Sequence, residues 1–332
     1  VDATIAQVIN DLQEVKGYTS QQAYNLVYNG GLTIETAQDP EVQKIMDEET
    51  SNEDNYPAGA KIGLEYALTV VKPDGTQTNY SKEMMEKYFK ENESSNFELL
   101  FDSKEDAQAH IDAYKESIVE DGDKIYETIN MTIQPQISMV VMDQSTGYVK
   151  GIVGGRGEKT ESLSLNRATD TTRQPGSTFK IIAAYSAALD AGGLTLASVQ
   201  DDAPFCYTGT ETPVNNYDRR YRGFTTLREA ITSSINIVTV KTLAQIGKEL
   251  GWQYVQDYGF TTVDSRDITE SLALGGITIG VSNLELTAAY AAIANSGTYI
   301  KPKFYTKILD HNGNVLLDNT NSESHTVIKE TT

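Results

Sequence analysis

Two residues set three apart, Ser177 and Lys180, carry the clearest chemistry in this chain of 332 residues. They stand in "RQPGSTFKIIAAYSAALDAGG" (173–193), where Pro175 and Gly176 end what precedes and an almost unbroken apolar run follows from Ile181 to Leu189. Such a run is expected of a helix buried on all sides. An ammonium one turn into it costs roughly several kcal/mol unless it is paired or used. The spacing puts the Lys180 amine on the helix face of the Ser177 hydroxyl, within its reach. Burial lowers a lysine's pKa and so makes a neutral amine available as a general base. A serine nucleophile needs that partner, because its free hydroxyl is almost never ionised near neutral pH. Free N–H groups and the dipole at a helix start favour the negative charge that develops beside Ser177. Ser-x-x-Lys occurs once in the chain. The competing reading is a Lys180 that snorkels to solvent near the helix start.

A second proton relay is expected in such a site, and Ser-x-Asn occurs three times, at Ser94–Asn96, Ser164–Asn166 and Ser234–Asn236. In isolation each is an ordinary helix cap. The third lies where two apolar-patterned helices meet, so both side chains can face a cleft. There Ser234 would pass a proton to a leaving group and Asn236 would hold a substrate amide. The histidines offer less: His110 lies in an acidic stretch, His311 in a hairpin turn and His325 in a polar tail. None sits beside a convincing nucleophile, which argues against a Ser-His-Asp triad. The glycine-rich "GIVGGRGEKT" (151–160) reads as a strand-exit loop, since Glu158 separates Gly157 from Lys159 where a phosphate loop needs Gly-Lys-Ser/Thr. Cys206 is the single cysteine, which rules out an internal disulfide and a zinc site built on several thiolates. Neither a metal nor a cofactor is expected.

The elements that must position these residues follow from pattern. Length alone suggests about two domains. Of the net charge of −20, residues 1–133 hold 27 acidic and 10 basic side chains, and residues 134–332 hold 20 and 17. The leading part is therefore an acidic, solvated module. Nothing suits a nucleic-acid partner, which needs clustered Lys and Arg. No apolar run of about 18 residues is present to span a membrane. The opening residues read as an amphipathic helix without a signal peptide; if the parent protein is exported, its anchor or signal lies upstream. Helices are predicted at 3–14 and 20–28, a strand at 32–37, and a helix after Asp39 as N-cap and Pro40. A polar loop covers 50–61, a strand 64–71 runs into a hairpin turn, and two more helices follow, the second capped by Ser103. A hairpin is predicted at 137–155, mostly helix over 177–297, and a last hairpin turned by Asn312 and Gly313. Strand runs followed by helix runs argue an α+β fold.

With these residues in view, "NRATDTTRQPGSTFK" resembles the nucleophile region of the class A penicillin-binding proteins, the bifunctional peptidoglycan synthases. "NNYDRRYRGFTTLREAITSSINI" resembles their second motif with its lead-in, and "LALGGITIGVSNLELTAAYAAIANSGTYIKPKF" the segment after it. "GYTSQQAYNLVYNGGLTIETAQDPEVQK" is similar to their junction between glycosyltransferase and transpeptidase domains. The likeness covers most of the chain and is weakest across 72–132. It implies an antiparallel sheet packed by helices with a helical subdomain, as in serine β-lactamases. It also implies an interdomain junction at 1–63, a small acidic α+β insert at 64–133 and the transpeptidase domain at 134–332. Ser177 would then be the acyl-enzyme nucleophile, Lys180 its base, and Ser234 with Asn236 the second motif. The Ser177 N–H would give half of the oxyanion hole.

The reaction implied is attack on the D-Ala–D-Ala bond of a peptidoglycan stem peptide, with D-alanine release and transfer to a neighbouring amine. β-Lactam antibiotics would acylate the same serine. The resemblance also implies an extracytoplasmic protein held to the bacterial membrane by an upstream segment. One departure stands out: the third motif, Lys-Thr/Ser-Gly, is absent, and "KTL" at 241–243 falls inside a predicted helix. The expectation is a chain cut short before its last strands, whose bare sheet edge would favour aggregation. A D,D-carboxypeptidase or serine β-lactamase-like hydrolase is the first alternative, and a non-catalytic penicillin-binding sensor or cell-wall scaffold the second. A time course of fluorescent penicillin labelling separates the three by stable adduct, turnover or no adduct.

Overall fold

The apolar run after Lys180 folds as expected, but with an irregularity. A 3₁₀ turn at Gly176–Thr178 leads through Phe179 and Lys180 into a π-helical segment, Ile181–Tyr185, and then an α-helix, Ser186–Asp190. A π segment holds an extra residue in its turn and re-phases the side chains beyond it. Ile182, Ala183, Ala184, Ala187 and Ala188 are fully buried, so the run is apolar because every face meets protein. Around it pack helices Asn236–Ile246, Lys248–Asp257 and Asn283–Ala294, through Ile237, Val240, Val255, Tyr258, Ala288 and Ala292. The last of these helices starts on a capping box made by Ser282 and Glu285. Within the stretch read as mostly helical, Gly247 separates the first two of them.

A computed structural model of the chain describes residues 1–157, 159, 162–321 and 323–332. They form two compact units, Val1–Glu48 with Ser138–Thr332, and Glu49–Ile137. In the first unit the opening helices, Asp2–Lys16 and Ser20–Asn29, precede the strand Thr33–Thr36. That strand pairs with Tyr305–Leu309, which pairs in turn with Val315–Asp318 across the turn at Asn312 and Gly313. Val8, Leu12, Ala23, Tyr305, Ile308 and Leu317 form the core there, and the Tyr305 hydroxyl donates to the buried Asp11 carboxylate at 2.5 Å. The second hairpin pairs Met139–Met142 with Val149–Val153. Asp39 caps the helix that begins at Pro40, and Gln43 on that helix bonds the Ile152 backbone twice, at 2.9 and 3.1 Å. Short strands that the sequence did not announce, Val199–Asp202 with Gly223–Thr226 and Phe205–Cys206 with Pro213–Val214, interrupt the region read as mostly helical.

The second unit is a small α+β module. Its central strand, Lys61–Val71, alternates so that Leu64, Tyr66, Leu68 and Val70 point to one buried face. Helices Lys82–Asn92 and Lys104–Glu116 cover that face with Met85, Phe89, Ala107, Ile111 and Tyr114. Gln77–Ser81 and Leu100–Phe101 pair along one edge, and Lys124–Gln134 along the whole length of the other. This last strand was absent from the sequence reading. The antiparallel sheets with packed helices are the α+β architecture expected.

The cluster around Leu12 unites segments from near both ends of the chain. Leu12→Ala should therefore cost about 2–5 kcal/mol, as for a buried leucine, read as a fall in the denaturant midpoint. A loss under about 1 kcal/mol would mean that the cluster does not hold these segments.

Candidate active site

Lys180 is 3% exposed, and its ammonium is fully employed. Nζ donates to the Ser234 carbonyl at 2.6 Å, to Ser234 Oγ at 2.9 Å and to Asn236 Oδ1 at 2.6 Å. Those three bonds match its three N–H donors. Desolvation lowers its pKa to about 8, because burial penalises the charged form. The structure thus brings Lys180, Ser234 and Asn236 together. Ser177 is exposed on the turn that opens the same helical run, and its hydroxyl makes no hydrogen bond among the described residues. The expected Lys180–Ser177 contact is therefore not made here; the amine is turned to the second motif. On losing its proton the amine keeps two donors and gains a lone pair, so one of its present contacts must change.

Local backbone geometry explains how Ser234 comes to the amine. Its φ is 51°, the left-handed region that costs a non-glycine residue of order 1–3 kcal/mol unless the surroundings hold it. What holds it is Ile235, buried against Tyr185, Leu227, Ala230 and Val238, with its N–H bonded to the Ala230 carbonyl at 2.9 Å. The sharp turn ends helix Leu227–Thr232, begins helix Asn236–Ile246, and aims both Ser234 oxygens at Lys180. Asn236 is oriented from two sides, since its Nδ2 donates to the Asn215 carbonyl at 2.7 Å while its Oδ1 accepts from Lys180. Asn215 and Asn216 were not singled out by sequence reasoning, although they open the stretch that carries the family likeness.

The turn that carries Ser177 is braced from behind. Tyr290 donates to the Thr178 carbonyl at 2.6 Å, and the Thr178 hydroxyl to the Pro175 carbonyl at 2.6 Å. Arg173 and Val281 exchange backbone bonds of 3.0 and 2.9 Å, and Gln174 Nε2 reaches the Ile277 carbonyl at 3.2 Å. Gly275 takes a φ of 74° and lies so close that a Cβ there would meet the Gly176 nitrogen at 2.5 Å. The segment "LGGITIG" is therefore a backbone platform for the turn that carries Ser177.

The remaining candidates do not join this site. Asn166 Oδ1 accepts from the Ala168 N–H at 3.0 Å as a local cap, and Ser94 bonds the Asn96 N–H at 3.4 Å within the second unit. His110 sits among Phe89, Phe97 and Phe101, and His325 meets the Asp257 carbonyl at 2.7 Å. In the glycine-rich stretch the strand ends at Val153; Glu158 and Thr160 lie outside the described residues. Among the described residues no group of three or more His, Cys, Asp or Glu is placed to hold a metal ion. No helix there is long and apolar enough to cross a membrane.

Residues 137–332 match the model of the penicillin binding protein transpeptidase domain, and this stretch holds the lysine–serine–asparagine cluster and its bracing turn. The chain belongs to that family. Its relatives include penicillin-binding proteins of the 1A and 1F types. It is 37% identical over 211 residues to penicillin-binding protein 1A of Clostridium tetani, covering 60% of this chain and 27% of that protein. It is 39% identical over 194 residues to penicillin-binding protein 1F of Bacillus subtilis, covering 58% of this chain and 26% of the relative. The chain thus spans about a quarter of the length of the curated relatives it matches. The fold is similar to that of PonA1 from Mycobacterium tuberculosis, solved in complex with penicillin V, with a TM-score of 0.63 and 17% identity over 99% of this chain and 67% of that one.

Gly275→Ala tests the platform. It should cost more than about 2 kcal/mol, combining strain at positive φ with a backbone clash, measured by calorimetric unfolding. An unchanged melting temperature would show that the turn yields freely and is not braced by this contact.

Proposed function

We propose that this chain carries the core of a D,D-transpeptidase that cross-links peptidoglycan stem peptides through a serine acyl-enzyme, and that β-lactams bind it covalently. The observation that carries the reading is the buried Lys180 amine, hydrogen-bonded to Ser234 and Asn236 at the base of the turn that presents Ser177. The family match supports the same class of reaction.

In this mechanism Lys180 is neutral when substrate arrives. Ser177 Oγ attacks the carbonyl carbon of the penultimate D-alanine, and its proton passes to the Lys180 amine. The Ser177 N–H, one of the first-turn donors without an intrahelical partner, stabilises the developing oxyanion. Ser234 Oγ, in contact with Lys180, relays a proton to the departing D-alanine nitrogen and takes one back from Lys180. The acyl-enzyme then meets the acceptor amine, which attacks the ester carbon and gives up its proton along the same route. A new amide forms and the Ser177 hydroxyl is restored. With a β-lactam the broken amide stays tethered, so no leaving group departs. Asn236 holds the substrate amide with the Nδ2 hydrogen that Asn215 does not use. The parent protein would act on the extracytoplasmic face of the bacterial membrane, anchored by a segment outside this chain and paired with a glycosyltransferase.

Ser177→Ala should abolish covalent labelling by fluorescent penicillin, measured on the longest polypeptide that carries this chain. An adduct mapped by peptide mass spectrometry to another residue would overturn the assignment. Rapid loss of adduct from the wild type would favour the hydrolase, and no adduct the sensor or scaffold.

The pH profile tests Lys180 separately. Its neutral fraction grows as pH rises toward a pKa of about 8, so acylation should increase about tenfold per pH unit below that value and level off above it. Lys180→Arg keeps the charge but has no neutral form, and should slow acylation by about 10²–10⁴-fold at every pH. A flat profile for the wild type between pH 6 and 9 would remove Lys180 as the base.

A further inference from the structure

Helix Asn236–Ile246 begins without a cap of its own. Its N-cap position is Ile235, whose side chain has no acceptor and is committed to the core. Leading N–H groups of a helix still require partners. Asn216, 20 residues earlier, supplies them: its Oδ1 accepts from the Asn236 N–H at 3.0 Å and from the Ile237 N–H at 3.2 Å. Its Nδ2 donates to Asp202 Oδ1 at 2.8 Å and to the Arg220 carbonyl at 2.8 Å. Both amide hydrogens are used, and a flipped amide would point donors at donors, so the partners fix its orientation. Asp202 is fully buried, and its other oxygen accepts from the Arg222 N–H at 3.0 Å. Among the described residues the turn Asn215–Arg222 makes no hydrogen bond to Lys180, yet it meets Asn236 at two atoms, the backbone N–H through Asn216 and the side-chain amide through the Asn215 carbonyl, and it meets the Ile237 N–H as well.

We infer that Asn216, oriented by the buried carboxylate of Asp202, is a positioning residue for Asn236. It caps in trans the helix that the site needs and fixes the carbonyl of Asn215 against the Asn236 amide. An ordinary cap at position 235 would do the first of these but would forfeit the apolar anchor that holds Ser234 in its left-handed turn. The strand pair Val199–Asp202 with Gly223–Thr226 thereby gains a role, since it carries Asp202 and frames the turn. The inference rests on the proposed reading that Asn236 meets substrate, and its test has one readout that does not.

Backbone amide exchange at Asn236 and Ile237 and penicillin acylation per folded molecule are measured on the longest polypeptide that carries this chain. Asn216→Ala should speed exchange at those two amides and slow acylation, each by about five- to tenfold, the scale of a lost cap. Asp202→Ala should act in the same direction, and Asn216→Ala with Asp202→Ala together should be no worse than Asn216→Ala alone, because Asp202 works through Asn216. Losses that multiply would overturn the chain of action, as would a uniform rise in exchange across the helix, which marks general destabilisation. Wild-type exchange and acylation in Asn216→Ala would overturn the inference outright. If Asp202→Ala does not fold, exchange in Asn216→Ala decides alone. Fast exchange confined to the two amides, with acylation normal in both Asn216→Ala and Asn236→Ala, would sustain the positioning and refute the substrate role of Asn236.

Discussion

One buried ammonium organises this part of the molecule. Taking Lys180 out of water incurs a penalty that only good hydrogen bonds offset. Those bonds come from two residues more than 50 positions away in the chain, Ser234 and Asn236. The helical run after Lys180 must be apolar to exclude water. The turn at Ser234 must be strained to deliver two oxygens. The helix at Asn236 must start at one fixed residue. Each of these is a consequence of placing a lysine where no solvent reaches it.

Much of this was legible in the sequence because the relevant signals are local. A charge in a greasy helix, Pro175 and Gly176 before it, and Asp39 before Pro40 all depend on neighbours within a few positions. The hairpins at 139–153 and 305–318 announced themselves by apolar runs around glycine turns. The strands missed, Lys124–Gln134 and the pairs within 199–226, lack that contrast. Lys124–Gln134 is exposed over its first seven residues, so its pattern is set by cross-strand partners and not by burial. Strands of two to four residues carry too few alternations to register against a helical background.

The site was legible in its residue types but not in its wiring. Spacing of three rightly places Lys180 on the helix that Ser177 opens, yet it suggests a bond between them that the amine does not make. Ser-x-Asn at 234–236 stood out from the copies at 94–96 and 164–166 only through its place between helices. The left-handed turn of Ser234 had no signal at all, since serine is not the residue that usually marks positive φ. Nor did Asn216, because a cap supplied across 20 residues leaves no spacing rule to read. Such contacts belong to tertiary structure and are found only once the turn 215–222 has a place.

The choice of neutral partners is what leaves Lys180 usable. Carbonyl, hydroxyl and amide oxygens orient the ammonium without supplying a full opposing charge. Desolvation is accordingly the cause of its lowered pKa, with no charged neighbour acting against it. An aspartate at position 234 or 236 would satisfy the same hydrogen bonds equally well in geometry. It would also stabilise the cation and drive the pKa back up, leaving no neutral amine near physiological pH. Among the described residues the buried Asp202 carboxylate is linked to Lys180 through the amide of Asn216 and then through Asn236, and so contributes orientation without pairing with the lysine. Amide and hydroxyl side chains around a buried lysine are thus the condition under which one residue can be both held in place and free to lose its proton.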